Sequence, residues 1–244
     1  MTINLTGFKA TTEIKPSSNM TIEAAELRET LQTLCDVIAV DDKRQIAHYW
    51  SMVSYKHGAQ HNKDGVAALS GIILEYDKRY ESDLLNALMR ADFPFQYLLV
   101  ETERKNGLSL SLFFPLAFEP SVNDYLRLAG VLAYQIGVYG LSKGSGTPTF
   151  LVKLVGGQTV GEHAGPAINR SYIAETKDIG DGSKTALEDF QGPKPVEKIN
   201  VGASIDTRRN LLVTITNTGA PIAATKQEQI AAHFRKLADL FDPE

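Results

Sequence analysis

The stretch Gly71-Ile72-Ile73-Leu74-Glu75-Tyr76-Asp77 constrains this chain more than any other. Its Ile- and Leu-rich alternation reads as a short buried strand. Side chains alternate between the two faces of a strand, so Glu75 and Asp77 project together while Ile72, Leu74 and Tyr76 face the other way. Two such carboxylates stand roughly 6–7 Å apart at Cα. That spacing suits hard divalent cations with oxygen ligands. Two-metal sites of this kind clamp the attacking and leaving oxygens in phosphoryl or nucleotidyl transfer. The plain alternative is a strand end kept in solvent by its acids, with Lys78 and Arg79 following at once.

The surrounding chain bounds what such a strand can belong to. It has 244 residues, 43% hydrophobic and 22% charged, which is ordinary for a globular protein with a sizeable core. A net charge of −4 excludes a polycation, so any contact with nucleic acid runs through a local basic patch. The single cysteine, Cys35, excludes a disulfide framework and a multi-cysteine zinc site, and reads as a small buried apolar residue. No signal-peptide pattern opens the sequence and no apolar run reaches membrane-spanning length, so the cytoplasm is the expected compartment.

Four segments are expected. Residues 1–20 read as a flexible arm, 21–155 as an α/β core, 156–208 as a loop-rich insertion or linker, and 209–244 as a strand and a helix packed on the core. Within the core, Thr21 is the expected cap of a helix carrying Leu27, Leu31, Leu34 and Ile38 at helical spacing. Residues 55–65 form a polar loop with Lys56, His57, His61 and Lys63; the two histidines lack the intervening Glu of a zinc helix. Ser82 caps a second helix with Leu84, Leu85 and Leu88 inward. Strands follow at Gln96–Val100 and Leu108–Phe114, joined through Asn106-Gly107, a hairpin signal. Ser109 and Ser111 share one face of the later strand. Ser121 caps a third helix that Gly137 stops. The glycines at 140, 144 and 146 lack the lysine register of a P-loop. Phe150–Val155 and Asn210–Asn217 read as strands, and a helix begins at Thr225.

In this order, roughly from Ser54 to Val155, the chain resembles the catalytic core of the archaeo-eukaryotic primase superfamily of phage and plasmid replication proteins. Ile73-Leu74-Glu75-Tyr76-Asp77 matches the first motif of that family, a hydrophobic strand ending in two acids one residue apart. The second motif, a histidine that contacts nucleotide phosphates, has no counterpart, since no histidine lies between His61 and His163. At the third, Gly137-Val138-Tyr139 carries tyrosine where the family has an acid.

The resemblance implies an α+β fold: a primase-like (RRM-like) mixed sheet flanked by helices, with a loop-rich C-terminal extension. It implies that Glu75 and Asp77 are catalytic residues binding Mg²⁺ or Mn²⁺; with tyrosine at the third motif, a third ligand has to come from elsewhere, and Glu101 or Glu103 is the candidate. Lys56, Lys63, Arg104, Lys105 and Lys143 are the expected contacts to nucleic acid or triphosphate. DNA or RNA and nucleoside triphosphates are the implied partners, with a replication or host protein as a further class. Two functions stand open at this point. One is a metal-dependent DNA primase or nucleotidyltransferase. The other is a catalytically inactive nucleic-acid-binding or host-interaction protein of a mobile element.

Overall fold

The computed structural model describes residues 1–13, 15–41, 45–56, 61–91, 93–105, 107–176, 187–191, 198–205 and 211–218. For Lys63, 198–205 and 211–218 the description is of the backbone alone. The chain divides into two compact units, Met1–Pro193 and Lys194–Glu244.

The first unit is built on an eight-stranded sheet. In chain order its strands are β1 (Thr2–Phe8), β2 (Ser18–Glu23), β3 (Tyr49–Ser51), β6 (Gly71–Asp77), β7 (Tyr97–Arg104), β8 (Gly107–Pro115), β9 (Val152–Leu154) and β10 (Gly161–His163). A separate two-stranded ladder joins β4 (Val53–Tyr55) to β5 (Val66–Leu69). Across the large sheet the order is β2-β1-β3-β9-β7-β8-β6, with β10 also paired to β7. Every ladder between these strands is antiparallel, so the sheet is antiparallel where a mixed one was expected.

Helices cover both faces. Ile72, Leu74 and Tyr76 of β6 pack with Leu110, Leu112 and Phe114 of β8 against α2 (Glu81–Ala91) and α3 (Val122–Ile136). Ile73 and Phe113 join the opposite layer with Val100, Val152 and Leu154, beneath α1 (Leu27–Val40). The alternation read in β6 is thus the division between two cores. Helix α3 has the expected caps: Ser121 Oγ accepts from the Asp124 N–H at 3.1 Å, and Gly137 closes the helix at φ +63°. A fourth, short helix, α4, spans Arg170–Glu175. Among the described residues no helix is long and apolar enough to cross a membrane.

Several expectations are corrected. The supposed arm at 1–20 holds β1 and the first half of β2, with Ile3, Leu5 and Phe8 completely buried. Intervening Thr and Asn residues disguise that alternation. Thr21 lies in β2 and caps nothing; α1 starts after a 3₁₀ turn at Ala24–Glu26, where Glu26 Oε2 accepts from the Glu23 N–H at 3.0 Å. Leu85 is 39% exposed, so the buried face of α2 runs through Leu84, Ala87 and Leu88. The β7–β8 hairpin exists, but Arg104 pairs with Gly107. Gly107, at φ +134°, therefore opens β8 and does not sit in the turn. The stretch 156–208 is no single loop: it contains β10, α4 and β11 (Lys198–Ile205).

In the second unit β11 pairs antiparallel with β12 (Leu211–Thr218), from Lys198↔Thr218 to Ile205↔Leu211. The helix expected from Thr225 and the residue His57 lie outside the described residues.

Candidate phosphate-binding cleft

The register of β6 on β8 sets Glu75 opposite Ser111 and Asp77 opposite Ser109; that of β7 on β8 sets Val100 opposite Ser111 and Thr102 opposite Ser109. Arg104 lies two residues beyond Thr102, on the same face. Two acids, two serines, a threonine and an arginine from three neighbouring strands therefore share one patch of sheet. The free edge of β6 is closed by the glycine-rich segment 140–146. The Asp77 N–H donates to Gly140 O at 2.9 Å, the Ser142 N–H to Glu75 O at 2.7 Å and the Gly146 N–H to Ile73 O at 2.9 Å. Ser145 Oγ accepts from the Glu75 N–H at 2.7 Å. This segment straps the strand that carries the acids.

A cleft of about 1440 Å³ opens along this end of the sheet. Glu75 and Asp77 both border it, as do Arg104, Lys105 and Lys143. Five of the seven residues picked from the sequence are thus gathered in one place. Lys56 lies away from the cleft, exposed, with Nζ donating to Asp64 O at 2.9 Å. Lys63 is described by its backbone alone. Sequence reasoning missed Lys78, Arg79 and Lys153, which also border the cleft. The first two read as a solvated strand end, and nothing local marks the third.

The acids are engaged. Glu75 is 1% exposed; Oε1 accepts from Thr102 Oγ1 at 3.0 Å, and Thr102 Oγ1 also bonds Ser111 Oγ at 2.9 Å. Oε2 forms an ion pair with Arg104 Nε, without the alignment of a hydrogen bond. Burial pushes the Glu75 carboxyl up, while Arg104 and the hydroxyls of Ser142 and Thr102 act against that. Asp77 is gripped side-on by Arg79, at 3.0 and 3.1 Å from Nε and 2.7 Å from Nη2. Those bonds hold its carboxyl below the ordinary range. Glu101 and Glu103 alternate with Thr102 and Arg104, and pair with Lys78 and Lys153 respectively. In contrast, Lys105 and Lys143 are exposed and carry no ion pair among the described residues.

A divalent cation needs free carboxylate oxygens. Among the described residues no group of three or more His, Cys, Asp or Glu is placed to hold a metal ion, and both acids of the expected pair already face a guanidinium. In this arrangement the residues do not fit Mg²⁺ or Mn²⁺.

No protein-family model matches the chain, and no curated protein matches it. A solved structure, the AEP domain (PP-N190) of the cyanophage S-2L primase-polymerase (PrimPol), aligns with a TM-score of 0.39 and 14% identity, covering 71% of this chain and 87% of that one.

What the cleft offers chemically is a set of cations at graded availability. Among the described residues Lys105 and Lys143 carry no ion pair, Arg79 is largely exposed, and Arg104 Cζ lies over the Phe150 ring, 5.9 Å from its centroid. Planar guanidiniums and ammonium groups arranged this way suit phosphate oxygens.

Proposed function

We propose that this chain is a nucleic-acid-associated protein that holds phosphates in the cleft beside β6, as its primase-like sequence pattern implies, with phage or plasmid replication as the setting. One observation carries the reading. Six cations (Lys78, Arg79, Arg104, Lys105, Lys143 and Lys153) border the cleft against three acids (Glu75, Asp77 and Glu103), in a chain whose net charge is −4. A positive concavity on an acidic protein concentrates field lines and selects a polyanion. The test is fluorescence anisotropy of a labelled single-stranded oligonucleotide across a salt series. Replacing Lys105 and Lys143 by glutamate lowers affinity at least about ten-fold and flattens the salt slope by about one per lysine. Binding that ignores both salt and these lysines overturns the reading.

A second reading, metal-dependent nucleotidyl transfer with Mg²⁺ or Mn²⁺ at Glu75 and Asp77, is favoured by the placement of both acids at one cleft. It requires Arg104 and Arg79 to leave the carboxylates first. Nucleotide incorporation that is abolished by Glu75→Gln with Asp77→Asn supports it; incorporation unaffected by that pair removes the acids from the chemistry.

A further inference from the structure

We infer that Arg104 and Arg79 occupy the acid pair in place of divalent cations, so that Glu75 and Asp77 are positioning residues for two phosphate-binding guanidiniums and the cleft grips its polyanion without metal. The inference rests on the polyanion reading above and names how that same site works.

The geometry is asymmetric in a useful way. Glu75 meets Arg104 through Nε, and Asp77 meets Arg79 through Nε and Nη2. A guanidinium has five N–H donors in a rigid fork. Each arginine therefore keeps donors that its carboxylate does not use. Holding one edge of the fork removes much of the side chain's freedom before a phosphate arrives, and a pre-organised donor binds at lower entropic cost. For Arg104 the restraint is threefold. Glu75 pairs with Nε, the Phe150 ring lies beneath Cζ, and Glu75 itself is fixed by Thr102 Oγ1 and by the Ser145 hydroxyl on its N–H. For Arg79 the restraint is local, because Asp77 also accepts from the Arg79 N–H at 2.9 Å and caps the 3₁₀ turn at Lys78–Tyr80. Lys105 and Lys143, both exposed, add further positive charge at the cleft.

A cation competing for this place must displace a guanidinium from a carboxylate that is almost wholly buried at Glu75. The buried oxygens then have to be satisfied by an ion that prefers to keep its waters. The built-in partner has the advantage.

The experiment uses the full chain, a fluorescent oligothymidylate for anisotropy, and Mn²⁺ followed by electron paramagnetic resonance. Wild-type affinity is expected to be the same within two-fold in EDTA and in Mn²⁺ at matched ionic strength; a loss in EDTA overturns the inference. Asp77→Asn is expected to lower affinity about three-fold, the size of one surface ion pair, although it makes the cleft more positive. Asp77→Glu should restore it. A carboxylate that merely repelled phosphate would give the opposite sign, and a gain in affinity overturns the inference. Replacing both arginines by glutamine bares the acids and should create Mn²⁺ binding that wild type lacks. Arg79→Gln alone, at a side chain 76% exposed, covers the case of a double variant that fails to fold; it should cost about three-fold in affinity and stay insensitive to EDTA. Wild-type Mn²⁺ binding that Asp77→Asn removes also overturns the inference. If wild type binds no oligonucleotide under any condition, the polyanion reading fails, and with it the inference that depends on it.

Discussion

Glu75 shows how much a residue's neighbours decide its role. Its oxygens meet Thr102 and Arg104, both from β7, and its N–H meets Ser145 from the strap. Thr102 is completely buried and bonds both Glu75 and Ser111. Thr102→Val keeps the shape and removes the hydroxyl, so it should cost about 1–3 kcal/mol in urea denaturation, the penalty for leaving buried polar atoms unmatched. A second residue prediction lies away from the cleft. Asp41 accepts from the Ile46 N–H at 3.0 Å and the Gln45 N–H at 3.1 Å and faces His48 Nε2 at 3.3 Å. These partners, Ile46 first, hold its carboxyl below the ordinary value. A depressed folded pKa gives stability that is present above the unfolded value and lost as pH falls through the folded one. Asp41→Asn should therefore be less stable than wild type at neutral pH, and the difference should shrink as the solution is acidified, read as urea midpoints across pH. From sequence, the E-x-D spacing was visible, but the cation at Glu75 was not, because Arg104 comes from another strand and no local pattern links them.

At the scale of elements, the strap at 140–146 and the turn at Gly156 are set by close approach. Gly146 has φ +75°, and a Cβ there would stand 2.9 Å from Ala129 Cβ on α3. Gly146→Ala combines a left-handed backbone with this clash, and should cost about 1–3 kcal/mol. Amide exchange should then quicken at Ser142 and Gly146, the donors that bind the strap to β6. Gly156 touches α1 backbone to backbone, its would-be Cβ 2.5 Å from Ala39 Cα, so Gly156→Ala forces the helix to shift and should lower the melting temperature. Elements with a strong local code were legible. Ser121 and Gly137 bracket α3 in sequence as in structure, and β6 shows its alternation plainly. The strap was not legible, since it bonds to an edge in the manner of a strand while its glycines read only as a loop. The β1–β2 pair was hidden for a different reason: Thr and Asn at its outward positions dilute the apolar signal.

For the molecule as a whole, the overall negative charge and the positive cleft are separate facts, and composition reports only the first. The architecture was partly legible for the same reason. Alternation and caps name the elements, whereas strand order depends on which distant segments meet. The seating of β9 is the clearest case. Its three residues lie between β3, through Trp50↔Val152, and β7, through Thr102↔Leu154, and so join two groups of strands far apart in sequence. Such a keystone has a kinetic consequence. The N-terminal hairpin with β3, and the locally connected β6, β7 and β8, can each zip up early, while the seam between them waits for the longest loop to close. Leu154→Ala, at a site 1% exposed, should cost about 2–5 kcal/mol. In stopped-flow measurements nearly all of that loss should surface as faster unfolding, with refolding left close to the wild-type rate.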